Sequence, residues 1–464
     1  MASGVLSSCS PSTVEQQTDT SPGEQAGASF RHRGYLGWIT DFATHPDRTA
    51  MWPSMELDDD LLADYRRKFE LMKRLGYNEM SVWGLYVSRA WPVDIESSVT
   101  AERGEKVEQL LEMARQNGVR VYSGLGVYSW GFEQIIKVHP ELSRGNARAM
   151  CPQNEHSWDW MRRVIDFVFD RFPIDGVSMQ SADQGRCSCD ECSRYGEAAY
   201  HALLNLRCAE YIRERQPDKT VAVNSWGMKF DEPDNLEALV RMGKKVDYII
   251  DTHDSSRRRD PAYRRQLIDS LDCAFGTTGG PQVEPPQHWQ RDRWFLPTAK
   301  RQGEHLAALH QDGGLACEYF YHILENPGDE ISFHMAGRML SDPETPWENH
   351  LRSTLEELFE TTNEGLLESL ANLVVRSEDA YFQHLPSGIA GTISMEPLVS
   401  DKPGPPVYLS KRLDAEQRRS YGQEMEGVRE GFQKLLTEAP RRDKVEKIVT
   451  CLGNVLDDVA NASG

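Results

Sequence analysis

The feature that most constrains the fold is a repeated alternation of short apolar segments with amphipathic segments between about residues 35 and 341. Such alternation is typical of parallel strands joined by crossover helices. The eight strand-helix units match a closed barrel better than an open sheet. No glycine-rich dinucleotide or Walker fingerprint follows any strand, which weakens the open-sheet alternative. We therefore predict an α/β fold, a (β/α)8 TIM barrel.

The predicted strands share apolar composition and are Tyr35–Phe42, Glu79–Tyr86, Val119–Tyr128, Gly176–Asp183, Thr220–Gly227, Val246–Asp254, Cys273–Gly280 and Gly314–His322. The predicted helices lie near 60–75, 102–117, 157–172, 193–215, 235–243, 261–271, 298–312 and 330–341.

The pattern divides the chain into three parts. Residues 1–30 are rich in Ser, Gln, Gly and Thr and are expected to form a disordered tail. Residues 31–345 carry the barrel pattern. Residues 346–464 predict a C-terminal helical appendage with long helices near 347–384 and 411–461, separated by a Pro- and Gly-rich stretch. We see no catalytic constellation in the appendage and expect it to cover the barrel.

Charge and hydropathy exclude some partners. The formal net charge is -20, so nucleic acid and anionic membranes would be repelled. No apolar run approaches the roughly 20 residues that span a bilayer, and no signal peptide is seen. We therefore expect no nucleic-acid or membrane partner and a cytoplasmic location. The sequence does not predict the oligomeric state.

Three cysteines form a tight cluster, Cys187-x-Cys189-x-x-Cys192, directly after the fourth strand. From one loop they can direct three thiolates at a tetrahedral Zn²⁺, which needs a fourth ligand. We expect Cys151, in the loop after the third strand, to be that ligand, with His156 as the runner-up, because neighbouring βα loops meet on one face of a barrel. Four thiolates leave no open position, so structural zinc is favoured over catalytic zinc, and unmetallated thiols are the remaining alternative.

Cys151 followed by this cluster resembles the zinc cluster of the β-galactosidases of glycoside hydrolase family 42, which are TIM barrels. The strand-four region from Asp175 to Gly185 also resembles that of α-glucuronidases and related glycosidase-like barrels. The resemblance covers about residues 35–345 and implies a barrel that acts on carbohydrate. One departure stands at Gln184, where glycosidases with this kind of fourth strand often carry the acid as Glu.

Carboxylates at the C-terminal ends of strands are the candidate catalytic groups, because barrel chemistry takes place at that end. Glycoside hydrolysis needs two carboxyl groups, one protonated and one ionised. We predict Asp183 as the general acid and Glu318 or Asp251 as its partner. Asp183 also suits a helix N-cap or a loop organiser, and Asp41 and Asp254 end other strands.

Aromatic and polar residues near the strand ends are the candidate substrate contacts, because sugar rings pack their C–H faces on aromatic planes. The proposed contacts are Trp38, Trp83, Asn224, Trp226, His253 and Tyr321, and Trp130 also lies just beyond a strand. Barrel core packing is the alternative role for the tryptophans. Basic residues in the loops after strands six and seven, if not merely solvated, could hold a uronate; they are Arg257, Arg258, Arg259, Arg291 and Arg293.

These features together predict a glycosidase that uses a carboxylate pair, a carbohydrate substrate, a structural zinc ion and no catalytic cofactor. Two alternatives stay open. Gln184 favours a carbohydrate-binding barrel that has lost its acid, because an amide cannot donate a proton as an acid. A metal-dependent sugar isomerase or epimerase would instead use Asp251, His253 and Glu318 as ligands for Mn²⁺ or Mg²⁺.

Overall fold

The protein is a closed barrel of eight parallel strands with helices between them, as predicted. A computed structural model describes residues 29–39, 57–87, 90–182, 184–225, 228, 236–252, 261–279, 294–320, 326–385, 409–410 and 412–462. Within these ranges every strand pairs with its sequence neighbours, and the first strand pairs with the eighth.

The strands, β1 to β8 in chain order, are His32–Trp38, Glu79–Trp83, Arg120–Gly126, Gly176–Gln180, Thr220–Asn224, Tyr248–Asp251, Ala274–Gly279 and Ala316–Phe320. The α-helices, α1 to α13 in chain order, are Asp59–Leu75, Ala101–Gln116, Glu133–Val138, Glu155–Arg171, Glu197–Arg215, Leu236–Gly243, Pro261–Ser270, Ala299–Gln311, Pro327–Ser341, Trp347–Phe359, Glu364–His384, Ala415–Leu435 and Arg442–Asn461.

The predicted elements differ from the observed ones mainly at their ends. The predictions for β2 and β3 run past the observed C-terminal ends to Tyr86 and Tyr128, because apolar residues continue into the loops that follow these strands. The helix predicted at 347–384 is two helices, which Glu360 separates by adopting a left-handed conformation (φ 51°) before Asn363 caps the next helix. The helix predicted at 411–461 is likewise divided, with Pro440 in the break.

Two faces of the sheet have different surroundings. Tyr122, Tyr248 and Ile250 belong to a buried cluster inside the barrel, together with small alanines from neighbouring strands. Ile249, which lies between Tyr248 and Ile250 on β6, instead packs in the larger cluster that includes helix residues. Because side chains alternate along a strand, Tyr248 and Ile250 face the barrel axis and Ile249 faces the helices.

The C-terminal helices share a hydrophobic core with the segment that begins at Trp294. The Trp294 indole donates a hydrogen bond to Asp458 of α13 at 2.7 Å, and Phe295 packs edge-on against Phe432 of α12. Glu378 of α11 accepts hydrogen bonds from the Lys300 and Arg301 backbone N–H groups in the first turn of α8. The helical region is therefore joined to the barrel through its β7-to-β8 side. No helix within the described ranges combines the length and apolarity that a bilayer span requires.

Candidate active site at the C-terminal end of the barrel

Three tryptophans form a pocket where strands β1, β2 and β3 end. The ring centroids of Trp38, Trp83 and Trp130 lie 5.7–6.1 Å from one another. The pocket is a small depression that is partly open to solvent, with Trp91 and Tyr86 also in its wall. Each of the three tryptophans keeps 6–9% of its surface exposed. An aromatic depression at this end of a barrel suits a planar apolar ligand face.

Glycine on β3 makes room for the Trp83 ring. A Cβ at Gly124 would collide with the Trp83 indole, so the ring lies directly over the β3 backbone. Trp83 follows Ser81 by two residues on the same face of β2. It therefore stands about 6–7 Å further toward the C-terminal end of the barrel. The large side chain of Trp83 and the missing side chain of Gly124 together form the floor of the pocket.

The turn that carries Trp130 is held in a strained backbone conformation. Tyr128 has φ 60°, in the left-handed region that non-glycine residues rarely occupy. Its carbonyl accepts a hydrogen bond from Met150 N–H at 2.7 Å, and its hydroxyl accepts one from Arg207 at 3.2 Å. Such strain persists only where the surroundings over-determine it. The loop that ends at Cys151 therefore supports one wall of the pocket.

Glu318 lies inside the barrel and is 1% exposed. Its carboxylate accepts hydrogen bonds from the Ser81 hydroxyl at 2.6 Å, the Tyr248 hydroxyl at 3.3 Å and the Asn224 amide at 3.5 Å. Burial raises the pKa of Glu318 to about 7, the negative charge of Glu79 adds to the rise, and the three hydrogen bonds oppose it. The Glu318 side chain can therefore hold a proton at neutral pH.

Asn224 links Glu318 to the end of β6. The Thr252 hydroxyl donates to Asn224 Oδ1 at 2.6 Å, while the Asn224 amide donates to Glu318. The Thr278 hydroxyl in turn donates to the Thr252 carbonyl at 2.9 Å. A continuous chain of hydrogen bonds thus runs from the carboxyl group toward the C-terminal end of the strands.

Asp251 lies on the other side of the sheet from Glu318. Its register partner on β7 is Thr277, whose hydroxyl hydrogen-bonds to His305 of helix α8. Neighbours in register on parallel strands face the same side, so Asp251 is directed toward the helices and is fully buried. Glu318 and Asp251, the two residues predicted as alternatives for the second carboxylate, therefore face opposite sides of the sheet. This arrangement gives no support to a metal ion that both would bind.

Several predicted site residues lie outside the described residues. They are Asp183, Trp226, His253 and Tyr321, together with Asp41, Asp254 and the five loop arginines.

The four cysteines predicted as metal ligands come together. The sulfur atoms of Cys151, Cys187, Cys189 and Cys192 all lie within 4.8 Å of one another, and the Cys151–Cys189 separation is 3.9 Å. Four sulfurs bound at about 2.3 Å to one tetrahedral zinc ion would be about 3.8 Å apart. The donor set and its spacing therefore fit a zinc ion. The His156 side chain is 77% exposed beside Asp159, which disfavours it as the fourth ligand.

Sequence reasoning named Asn224 as a site residue but missed Ser81 and Tyr248, the other two neutral partners of Glu318. Ser81 and Tyr248 are ordinary strand residues, and only their inward direction brings them to the carboxylate. For Ser81 a signal was present, because it stands two residues before Trp83 on a strand with period two. Trp91 and Tyr86 were missed as pocket residues because they follow β2 in irregular structure.

Neither a protein-family model nor a curated protein sequence matches this chain. Among solved structures, the chain is similar to a glycoside hydrolase family 138 enzyme that targets the pectin rhamnogalacturonan II, with a TM-score of 0.61 and 10% identity. That match covers 93% of this chain, which spans only 57% of the enzyme's length. The chain is also similar to a mutant O-GlcNAc hydrolase of Thermobaculum terrenum, with a TM-score of 0.50 and 12% identity. That match covers 92% of this chain and 94% of the hydrolase. At these identities the likeness establishes the shared barrel fold.

Proposed function

We propose that the chain is a glycoside hydrolase that binds a sugar ring in the tryptophan pocket and uses a pair of carboxyl groups for hydrolysis. The observation that carries the proposal is the pocket of Trp38, Trp83 and Trp130 at the end of the barrel where such chemistry takes place. The two similar structures, one targeting a pectin and one an O-GlcNAc hydrolase, support it.

The proposed pair is Asp183 with Glu318. Glu318 is supported over Asp251 because it faces the barrel axis below Trp83. Its raised pKa favours the proton-donor role for Glu318, with Asp183 as the ionised partner, although the sequence alone favours the reverse assignment. A preference for acidic sugars remains a proposal that rests on the five loop arginines.

The decisive experiment is turnover on a panel of aryl glycosides, including uronides, with parent protein and single variants. Asp183→Asn and Glu318→Gln should each lower kcat by about 10²- to 10⁴-fold. Trp83→Ala should weaken sugar binding in the same assays. Asn117→Ala is the control, since Asn117 caps α2 at the opposite end of the barrel. Turnover that both carboxylate variants leave unchanged would refute the pair.

A carbohydrate-binding barrel without hydrolysis is the second candidate. It is favoured by the burial of Glu318, whose carboxylate is supplied with hydrogen bonds by the protein itself. Binding of glycans without turnover in the parent protein would establish this function instead. Loss of glycan binding in Trp83→Ala would then still identify the tryptophan pocket as the binding site.

We further propose that the four-cysteine cluster holds a structural zinc ion. The ion would join the loop that ends at Cys151 to the loop that begins after β4, and it would leave no open position for substrate. The purified protein should contain one equivalent of zinc, and Cys151→Ser should lower that content. A zinc-free protein with unchanged folding and tryptophan fluorescence would overturn this assignment.

A further inference from the structure

Asn146 connects the loop after β3 to the turn after β4. Its side-chain amide donates hydrogen bonds to the carbonyls of both Gln184 at 3.0 Å and Arg186 at 3.2 Å. One side chain therefore holds two carbonyls that are two residues apart. Gly185 between them has φ 78°, a conformation that glycine adopts without strain.

The Asn146 side chain is itself oriented by its own loop. Its Oδ1 accepts a hydrogen bond from Arg148 N–H at 2.9 Å, which leaves the amide nitrogen free to face the β4 turn. The Asn146 carbonyl accepts from Ala149 N–H and from the Ser143 hydroxyl. A β-bridge between Ser143 and Met150 closes this loop. Contacts within its own loop therefore orient the Asn146 amide toward the turn after β4.

The same two chain segments meet a second time at the cysteines. The loop that carries Asn146 ends at Cys151, and the turn from Gln184 to Arg186 leads directly into Cys187. The Arg186 guanidinium, which lies over the Tyr200 ring, donates to the Cys192 carbonyl. The cysteine cluster and the Asn146 amide therefore fasten the two loops at two separate points.

The strand side of the turn is fastened as well. The Ser129 hydroxyl donates to the Ser181 carbonyl at 2.8 Å, and the Asn205 amide donates to the Ser181 hydroxyl at 3.0 Å. Ser181 and Gln184 are thus held from opposite sides. Ser129 belongs to the turn that carries Trp130, so this contact also ties the end of β4 to the tryptophan pocket.

We propose that Asn146 is a positioning residue for the proposed reaction, which it supports by fixing the described backbone that follows Asp183, at Gln184 and Arg186. The inference rests on the proposed function, because Asp183 enters it as a member of the carboxylate pair and only its flanking residues are described. Asn146 does this without binding metal or substrate. Its contribution is separable from that of the cysteine cluster.

The test uses the full chain with Asn146→Ala, Asn146→Asp and the control Asn117→Ala. The Asn117 amide also donates to a backbone carbonyl at 2.9 Å, but at the end of α2. Asn146→Asp keeps the acceptor for Arg148 and loses the amide donor. Zinc content, amide hydrogen exchange over 184–188, kcat and KM are measured for each.

In both Asn146 variants we expect zinc content to stay unchanged and exchange over 184–188 to quicken about tenfold, because two hydrogen bonds are lost. We expect kcat to fall about tenfold or more with KM within about twofold. In an Asp183→Asn background, Asn146→Ala should have little further effect, since residues that act through one another are non-additive. Asn117→Ala should match the parent in every readout.

Three results would overturn the proposal: unchanged exchange and kcat, loss of zinc in Asn146→Ala, or a fall in kcat that is equally large in the Asp183→Asn background. If the parent hydrolyses no glycoside, the proposed function fails. The exchange measurement then decides alone whether Asn146 holds the β4 turn.

Discussion

Among the described residues of the barrel, Glu79 and Glu318 are buried glutamates near its axis, and they have opposite surroundings. At the N-terminal end, Glu79 bonds to His32 at 2.8 Å and to the guanidinium of Arg120. Nearer the C-terminal end, Glu318 meets only neutral donors among the hydrogen bonds described. An ion pair offsets the cost of burying a carboxylate, whereas burial among neutral groups raises the pKa of a carboxyl group.

The difference indicates how the two ends are used. The ion pair with Arg120 holds Glu79 at the N-terminal end of the barrel, where catalytic chemistry is not expected in this fold. Nearer the other end Glu318 has a raised pKa, and Ser81, which donates to it, precedes Trp83 of the tryptophan pocket on β2. Perturbed carboxyl groups beside a pocket are candidates for proton transfer. Each prediction below perturbs one of the two ends.

Glu318 should make the stability of the parent depend on pH in a way that Glu318→Gln does not share. Its folded pKa of about 7 is raised above the unfolded value, so its contribution is present at low pH and is lost as the pH rises through 7. The full loss is roughly 3 kcal/mol for a shift of about 2.5 units. We expect urea unfolding to show the parent losing this much, relative to Glu318→Gln, between about pH 4.5 and 8.

The comparison between the parent and Glu318→Gln also has to allow for the titration of Glu378. Burial also raises the pKa of Glu378 to about 7, and it titrates in the same range in both proteins. The difference between parent and Glu318→Gln removes its contribution. Parallel stability curves for the two proteins would contradict the raised pKa of Glu318.

Gly124→Ala should disturb the C-terminal end alone. The new methyl group would collide with the Trp83 ring, and overpacking of this kind costs about 1–3 kcal/mol. We expect lower stability by urea unfolding together with a shifted tryptophan emission. Gly365→Ala is the matched control, because a Cβ there meets only ordinary contacts near the start of α11, and it should be neutral or slightly stabilising. If the two variants had the same stability and the same tryptophan emission, Gly124 would not be needed to make room for the Trp83 ring.

Glu79→Gln should have the smallest effect on the chemistry and should act through charge. Removing the negative charge at the N-terminal end lowers the pKa of Glu318, because Glu79 contributes to raising it. The pH profile of kcat should therefore move to lower pH while its maximum changes little. A profile that stays in place would show that the two glutamates are not coupled.

The barrel could be predicted from sequence because strand and helix periods alternate strongly, and the fourth cysteine because neighbouring loops of a barrel meet. The direction of Asp251 could not be predicted. Its strand reads Tyr-Ile-Ile-Asp, and a strand that is buried on both faces shows no alternation to separate them. The helix break at Glu360 was also hidden, because no glycine or proline marks it.

The central claim is that Glu318, and not Glu79, takes part in the chemistry of a sugar-cleaving site. The most direct test is release of the aglycone from the aryl glycoside panel by the parent, Glu318→Gln and Glu79→Gln, with folding checked in each. We expect turnover in the parent and in Glu79→Gln, and a fall of about 10²- to 10⁴-fold in Glu318→Gln. Equal turnover in the parent and in Glu318→Gln would contradict it.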